Sequence, residues 1–188
     1  MIYFAYGSNT SIEHMKARCP KAKQLGKFWL RSARLVFRGV ADCIHAPGER
    51  IPGVLWKITP ECEAILDRKE GIASGAYRKI ILPLNGYPGE DQVMLYVMNS
   101  KGIFPPSADY LRILRRGYKD FGLPTRYLNN ALAHAWDDKN PSHHERQRYM
   151  RTGRPRLAER VSPKGERPGV SNTGNLFDYK MESIKCDS

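Results

Sequence analysis

The chain has 188 residues, with 31 Lys and Arg against 19 Asp and Glu, a formal net charge of +12 and a mean hydropathy of −0.55. That length suits one domain with a real core and room for an appended tail, and with no run near ~18 apolar residues neither a membrane helix nor a secretory signal is expected. The four scattered cysteines, Cys19, Cys43, Cys62 and Cys186, form no Cys-x-x-Cys pair, which reads as reduced thiols in a cytoplasmic protein rather than a disulfide framework or zinc site.

The first predicted element is a strand, Ile2-Tyr3-Phe4-Ala5-Tyr6, built of β-branched and aromatic residues. It breaks into Gly7-Ser8-Asn9. Glycine tolerates angles closed to other residues and so permits a sharp turn. Ser8 and Asn9 are N-cap types, predicting a helix over Ser11 to Arg18. Strand, turn and helix start together make an anion-binding arrangement, with free N–H groups aimed into the turn; the plain alternative is an ordinary β-turn-α connection.

Strands are predicted at Lys27–Leu30, Ala33–Phe37 and Ile51–Ile58, with a turn at Ala46-Pro47-Gly48. Thr59 as N-cap, Pro60 at the first helical position and the acids Glu61 and Glu63 then open a helix ending near Gly71. Tyr77–Leu82 and Gln92–Met98 read as strands joined by the polar Asn85–Gly89 loop. Ser107 caps a helix running to Phe121, Gly122-Leu123-Pro124 interrupts, and Thr125 starts a last helix to Trp136. Residues 137–188 change character to a basic, polar stretch rich in Arg, Ser, Pro and Gly, read as a partly mobile C-terminal extension.

The chemistry-bearing candidate is Glu70, at the end of a helix and beside a glycine. A carboxylate there faces the negative end of the helix dipole, so partial burial would raise its pKa towards general acid–base work. Nearby Asp67 reads as a helix-surface residue or a helper to Glu70. The basic residues are dispersed, and no nucleic-acid motif organises Arg31, Arg34 and Arg38, or Arg112, Arg115 and Arg116, or the arginines from Arg146 to Arg167; specific nucleic-acid binding is therefore not expected. His134, Asp137, Asp138, His143 and His144 have no metal-site spacing, and no Gly-x-Ser-x-Gly elbow supports a serine hydrolase.

Several segments occur in one order: Tyr3-Phe4-Ala5-Tyr6-Gly7-Ser8-Asn9, Gly53-Val54-Leu55-Trp56-Lys57, Leu66-Asp67-x-x-Glu70-Gly71, Ser74-Gly75-Ala76-Tyr77, Tyr96-Val97-Met98-Asn99, Pro105-Pro106-Ser107-x-x-Tyr110 and Phe121-Gly122-Leu123-Pro124-x-x-Tyr127. In this the chain resembles the γ-glutamylcyclotransferase family (AIG2-like), in its glutathione-metabolism branch, over residues 1–136. The resemblance implies an α+β fold, a small mixed barrel-like β-sheet with peripheral helices. It implies a transferase or lyase-type enzyme that cyclises γ-glutamyl amino acids or amines to 5-oxoproline and a free amine, with no cofactor and no metal.

By the same resemblance Glu70 is the general acid/base, and Tyr3, Phe4, Ala5, Tyr6, Gly7, Ser8 and Asn9 form the loop holding the γ-glutamyl group. Tyr110 matches a substrate-binding tyrosine, and Tyr77 and Tyr96 match aromatics near the cavity. A homodimer is expected on family likeness alone. Two rivals stand beside this reading: the same chemistry on another γ-glutamyl amide, such as a γ-glutamylamine or a γ-glutamyl-protected biosynthetic intermediate, and a non-catalytic interaction protein using its basic surface.

Overall fold

The structure is a computed structural model that describes residues 1–84 and 91–137; the 138–188 part of the predicted extension and the 85–90 loop lie outside the described residues. Five strands and four helices follow in the order β1 (Ile2–Ala5), α1 (Ile12–Arg18), β2 (Lys23–Phe37), β3 (Ala41–Lys57), α2 (Pro60–Glu70), β4 (Tyr77–Pro83), β5 (Gln92–Met98), α3 (Ala108–Asp120) and α4 (Arg126–Trp136). A 3-10 turn, Ser8–Thr10, separates β1 from α1. The strands form one mixed sheet in the order β2-β3-β1-β5-β4. Its parallel pair is β1–β5, with Ile2 opposite Val93.

The fold is α+β with a mixed sheet and peripheral helices, as expected. The ladder stays open among the described residues, with β2 and β4 at its edges. An isolated parallel bridge, Arg38 to Phe104, brings the chain after β5 back to the end of β2. The inner strands β1 and β5 are buried along nearly their whole lengths, as expected for strands covered on both faces.

One expectation needs correction. The two strands read at 27–30 and 33–37 are one strand, and the Ala46-Pro47-Gly48 turn is an excursion inside β3. Arg31 pairs with Arg50 but Ala33 pairs with His45, and Ser32 adopts φ 53° between them. This bulge flips the side-chain phase, so that Phe28 and Leu30 are buried before it and Ala33 and Leu35 after it. Pro52 is accommodated because β1 pairs only with Val54 to Lys57, leaving that edge of β3 without a partner strand at residue 52.

Candidate active site

A cavity of about 280 Å³ opens where the end of β1, the 3-10 turn, the end of α2 and the start of α3 converge. That is the small end of the range for small-molecule sites. Tyr3, Tyr6, Gly7, Ser8, Asn9, Glu70, Tyr77, Tyr96 and Tyr110 all line it. Phe4 and Ala5 do not. Strand alternation turns Phe4 into the core, edge-on to Phe28 with ring centroids 5.8 Å apart, and Ala5 is fully buried opposite Val54.

Glu70 is the last residue of α2, and Gly71 ends the helix in the left-handed conformation at φ 67°, where a side chain would be strained. The glutamate side chain is 17% exposed and lies 3.8 Å from the Arg18 guanidinium. Burial raises its pKa, while Arg18 and a hydrogen bond from Asn9 act in the opposite direction. Glu70 is the one carboxylate among the described residues lining the cavity.

Asn9 is 3% exposed and fixed at three points. Arg18 Nη1 donates to its Oδ1 at 2.9 Å, its Nδ2 donates to the Tyr3 hydroxyl oxygen at 2.9 Å, and Trp56 Nε1 donates to its carbonyl at 3.1 Å. With its oxygen accepting from Asn9, Tyr3 keeps its own proton to give. Burial first, and the charge of Glu70 second, hold the phenols of Tyr3 and Tyr77 above the ordinary tyrosine value.

The other phenols are tied in different ways. Tyr6 donates to the Tyr96 carbonyl at 2.5 Å and so has no proton left for a ligand. Tyr96 donates to Asp67 Oδ1 at 2.6 Å. Asp67 also takes Lys79 Nζ at 3.0 Å; half-buried and outside the cavity lining, it anchors Tyr96 rather than contacting Glu70. Tyr110 accepts the Ala41 N–H at 3.0 Å and that of Ser8 as well, and burial pushes its pKa up to about 12. Its oxygen is thus used and its proton is free.

Two expectations about the first loop change. The N-cap of α1 is Ser11, whose side chain accepts from His14 N, while Ser8 and Asn9 belong to the 3-10 turn. Gly7 has φ −102° and is needed for space rather than for an unusual angle, since a Cβ there would lie 3.0 Å from the Tyr110 hydroxyl. With seven residues, α1 is too short for a strong dipole, and the Ser8 N–H already serves Tyr110.

The AIG2-like family model matches residues 50–131, a span that includes Glu70, Tyr77, Tyr96 and Tyr110. The chain is 32% identical over 145 residues to a γ-glutamylcyclotransferase from Homo sapiens, covering 70% of this chain and 77% of that protein. It is 31% identical over 139 residues to one from Bos taurus, covering 67% and 74%. The chain belongs to the γ-glutamylcyclotransferase family. A solved γ-glutamyl cyclotransferase structure superposes with a TM-score of 0.61 at 29% identity, covering 70% of this chain and 85% of that one.

As a γ-glutamylcyclotransferase-family enzyme, the chain carries site residues that its sequence alone did not reveal. Arg18 and His14 both line the cavity, and they stand four apart on α1, one face of a helix. On α2, Glu63, Asp67 and Glu70 stand four and three apart and face Lys79, Tyr96 and Arg18. Helical periodicity is the signal for both sets, but it says nothing of what the stripe faces. Among the described residues no helix is long and apolar enough to cross a membrane.

Proposed function

We propose that this chain cyclises γ-glutamyl amides, releasing 5-oxoproline and the free amine, with Glu70 moving the proton. The substrate carries its own nucleophile. Its α-amino nitrogen forms a bond to the γ-carbonyl carbon, the amide C–N bond breaks, and a five-membered lactam closes. Because the attack is intramolecular even without the protein, what the cavity can add is to hold the substrate folded with the amine aligned on the γ-carbonyl.

Glu70 takes a proton from the α-ammonium and returns it to the departing nitrogen. The oxygen that becomes negative needs donors. The phenol protons of Tyr3 and Tyr110 are available, because the oxygen of each is already accepting a hydrogen bond, and the Gly7 amide belongs to the same wall. The reading places the chain in the breakdown of γ-glutamyl compounds, glutathione metabolism included, as a cytoplasmic enzyme.

The observation that carries it is Glu70, the one carboxylate that the described residues place in the cavity, set among five buried or half-buried tyrosines. A protein that only bound partners would gain nothing from burying a carboxylate there. Incubating the full chain with a panel of γ-glutamyl amino acids and amines should yield 5-oxoproline by mass spectrometry. Glu70→Gln should lower kcat by roughly 10²–10⁴-fold, the usual contribution of a general acid–base. No 5-oxoproline from any of the panel, or full activity in Glu70→Gln, would refute the reading.

A further inference from the structure

Resting on that cyclisation reading, we propose that Asp42, clamped to Arg38 outside the cavity, is a positioning residue that aims the Tyr110 hydroxyl through the Ala41 amide. The β2–β3 hairpin closes at the pair Phe37 and Ala41, so its turn is Arg38-Gly39-Val40. Val40 and Ala41 line the cavity, whereas neither Arg38 nor Asp42 does. Arg38 Nε donates to Asp42 Oδ2 at 2.8 Å, and the ion pair therefore spans the turn from one end to the other. Both partners are held from outside as well. Asp42 Oδ1 accepts Met98 N at 3.0 Å, and Arg38 Nη1 donates to the Gly102 carbonyl at 2.9 Å. The turn itself leans on Phe104, whose carbonyl accepts the Gly39 N–H at 3.0 Å.

What this rigidity serves is the amide at the edge of the clamp. Ala41 N–H donates to the Tyr110 oxygen at 3.0 Å, and the Ser8 N–H reaches the same oxygen. With that oxygen accepting twice, the phenol proton takes the direction that remains. Tyr110 stands on α3 while Ala41 stands on the sheet, so the hydroxyl is fixed only as long as the turn keeps its place. A donor to a developing oxyanion works through placement, to within about 0.5 Å. A buried ion pair is by itself weak evidence for stability, and apolar side chains could close the same turn. The placement of the Ala41 amide is what the charges add.

The double variant Asp42→Leu with Arg38→Met separates placement from stability, because it removes both charges together and strands neither. It is assayed as the full chain, where circular dichroism shows it folded, on a γ-glutamyl amino acid that the wild type turns over. KM should stay within about twofold while kcat falls by roughly 10–100-fold, the scale of a displaced catalytic donor. Asp42→Asn, which keeps the side-chain shape, should lower kcat in the same way and carries the comparison if the double variant does not fold. In a Tyr110→Phe background neither change should cost more than about twofold further, since the group being placed is already gone. Full kcat in the double variant or in Asp42→Asn overturns the proposal. So does an equal loss with and without the Tyr110 hydroxyl, which would put the effect on Tyr6, whose hydroxyl lies 3.3 Å from Asp42 Oδ1. No 5-oxoproline from the wild type would instead overturn the cyclisation itself, and the positioning role with it.

Discussion

Glu70 sits between opposed influences: burial disfavours its charge, and Arg18 with Asn9 favours it, burial being the larger. As the base it must be ionised, so the acid limb of kcat/KM should lie above the ordinary glutamate value of about 4.3. Removing Arg18 takes away a charge that stabilises the carboxylate. Arg18→Met should therefore move the acid limb to higher pH, with activity partly regained by raising the pH, and Arg18→Lys should move it less. A pH–rate profile for the two variants decides this, and an unmoved limb in Arg18→Met would show that Arg18 does not act as the counter-ion. Glu70 was legible in the sequence because a glycine follows it and the family pattern surrounds it. Arg18 was not, since its reach to Asn9 and Glu70 depends on how the 3-10 turn swings α1 back over the cavity.

At the scale of elements, caps were the most readable signals. Thr59 accepts from Cys62 N and Pro60 stands at the first helical position, and Ser107 accepts from Tyr110 N at the head of α3. Thr125 precedes α4 as expected but makes no side-chain cap. The bulge at Ser32 was not readable, because a change in side-chain phase looks the same as a break between two strands. Nor was the contact between α3 and the 3-10 turn, which runs through Gly117: a Cβ there would collide with Thr10 Oγ1 and lie 2.5 Å from Ser11 N. In an ordinary helix interior Gly→Ala stabilises by ~1 kcal/mol. Here overpacking of roughly 1–3 kcal/mol opposes that gain. Gly117→Ala should destabilise the protein or leave it unimproved in urea unfolding, and it should lower kcat/KM because Tyr110 rides on the same helix. A variant stabilised by the full helical gain, with unchanged activity, would mean that α3 does not rest on the turn through this residue.

Across the whole molecule, strand identities were largely legible while their partners were not. The sheet places β1 between β3 and β5, joining Ile2 to Lys57 and to Val93, and such long-range pairings leave no local trace in the sequence. The mixed sheet was foreseen through the family resemblance, not from periodicity. A buried charge pair, not legible from sequence spacing, links the ends of β2 and β3 to the end of β5 and the segment after it. Asp42 and Arg38 are 1% and 13% exposed and meet at 2.8 Å. Asp42 Oδ1 also accepts Met98 N at 3.0 Å, and Arg38 Nη1 donates to the Gly102 carbonyl at 2.9 Å. The hairpin of β2 and β3 is thereby fastened to the end of β5 and to the segment beyond it. Removing one partner leaves the other charge buried and unmatched, so Asp42→Ala should cost about 3–5 kcal/mol, a large part of the ~5–15 kcal/mol typical of a domain. Replacing both partners removes the stranded charge, and Asp42→Leu with Arg38→Met should recover much of the loss. Urea unfolding of the single and double variants tests this directly. If the double variant is no more stable than Asp42→Ala, the uncompensated Arg38 charge is not the source of the loss, and the hydrogen bond to Met98 carries that closure instead.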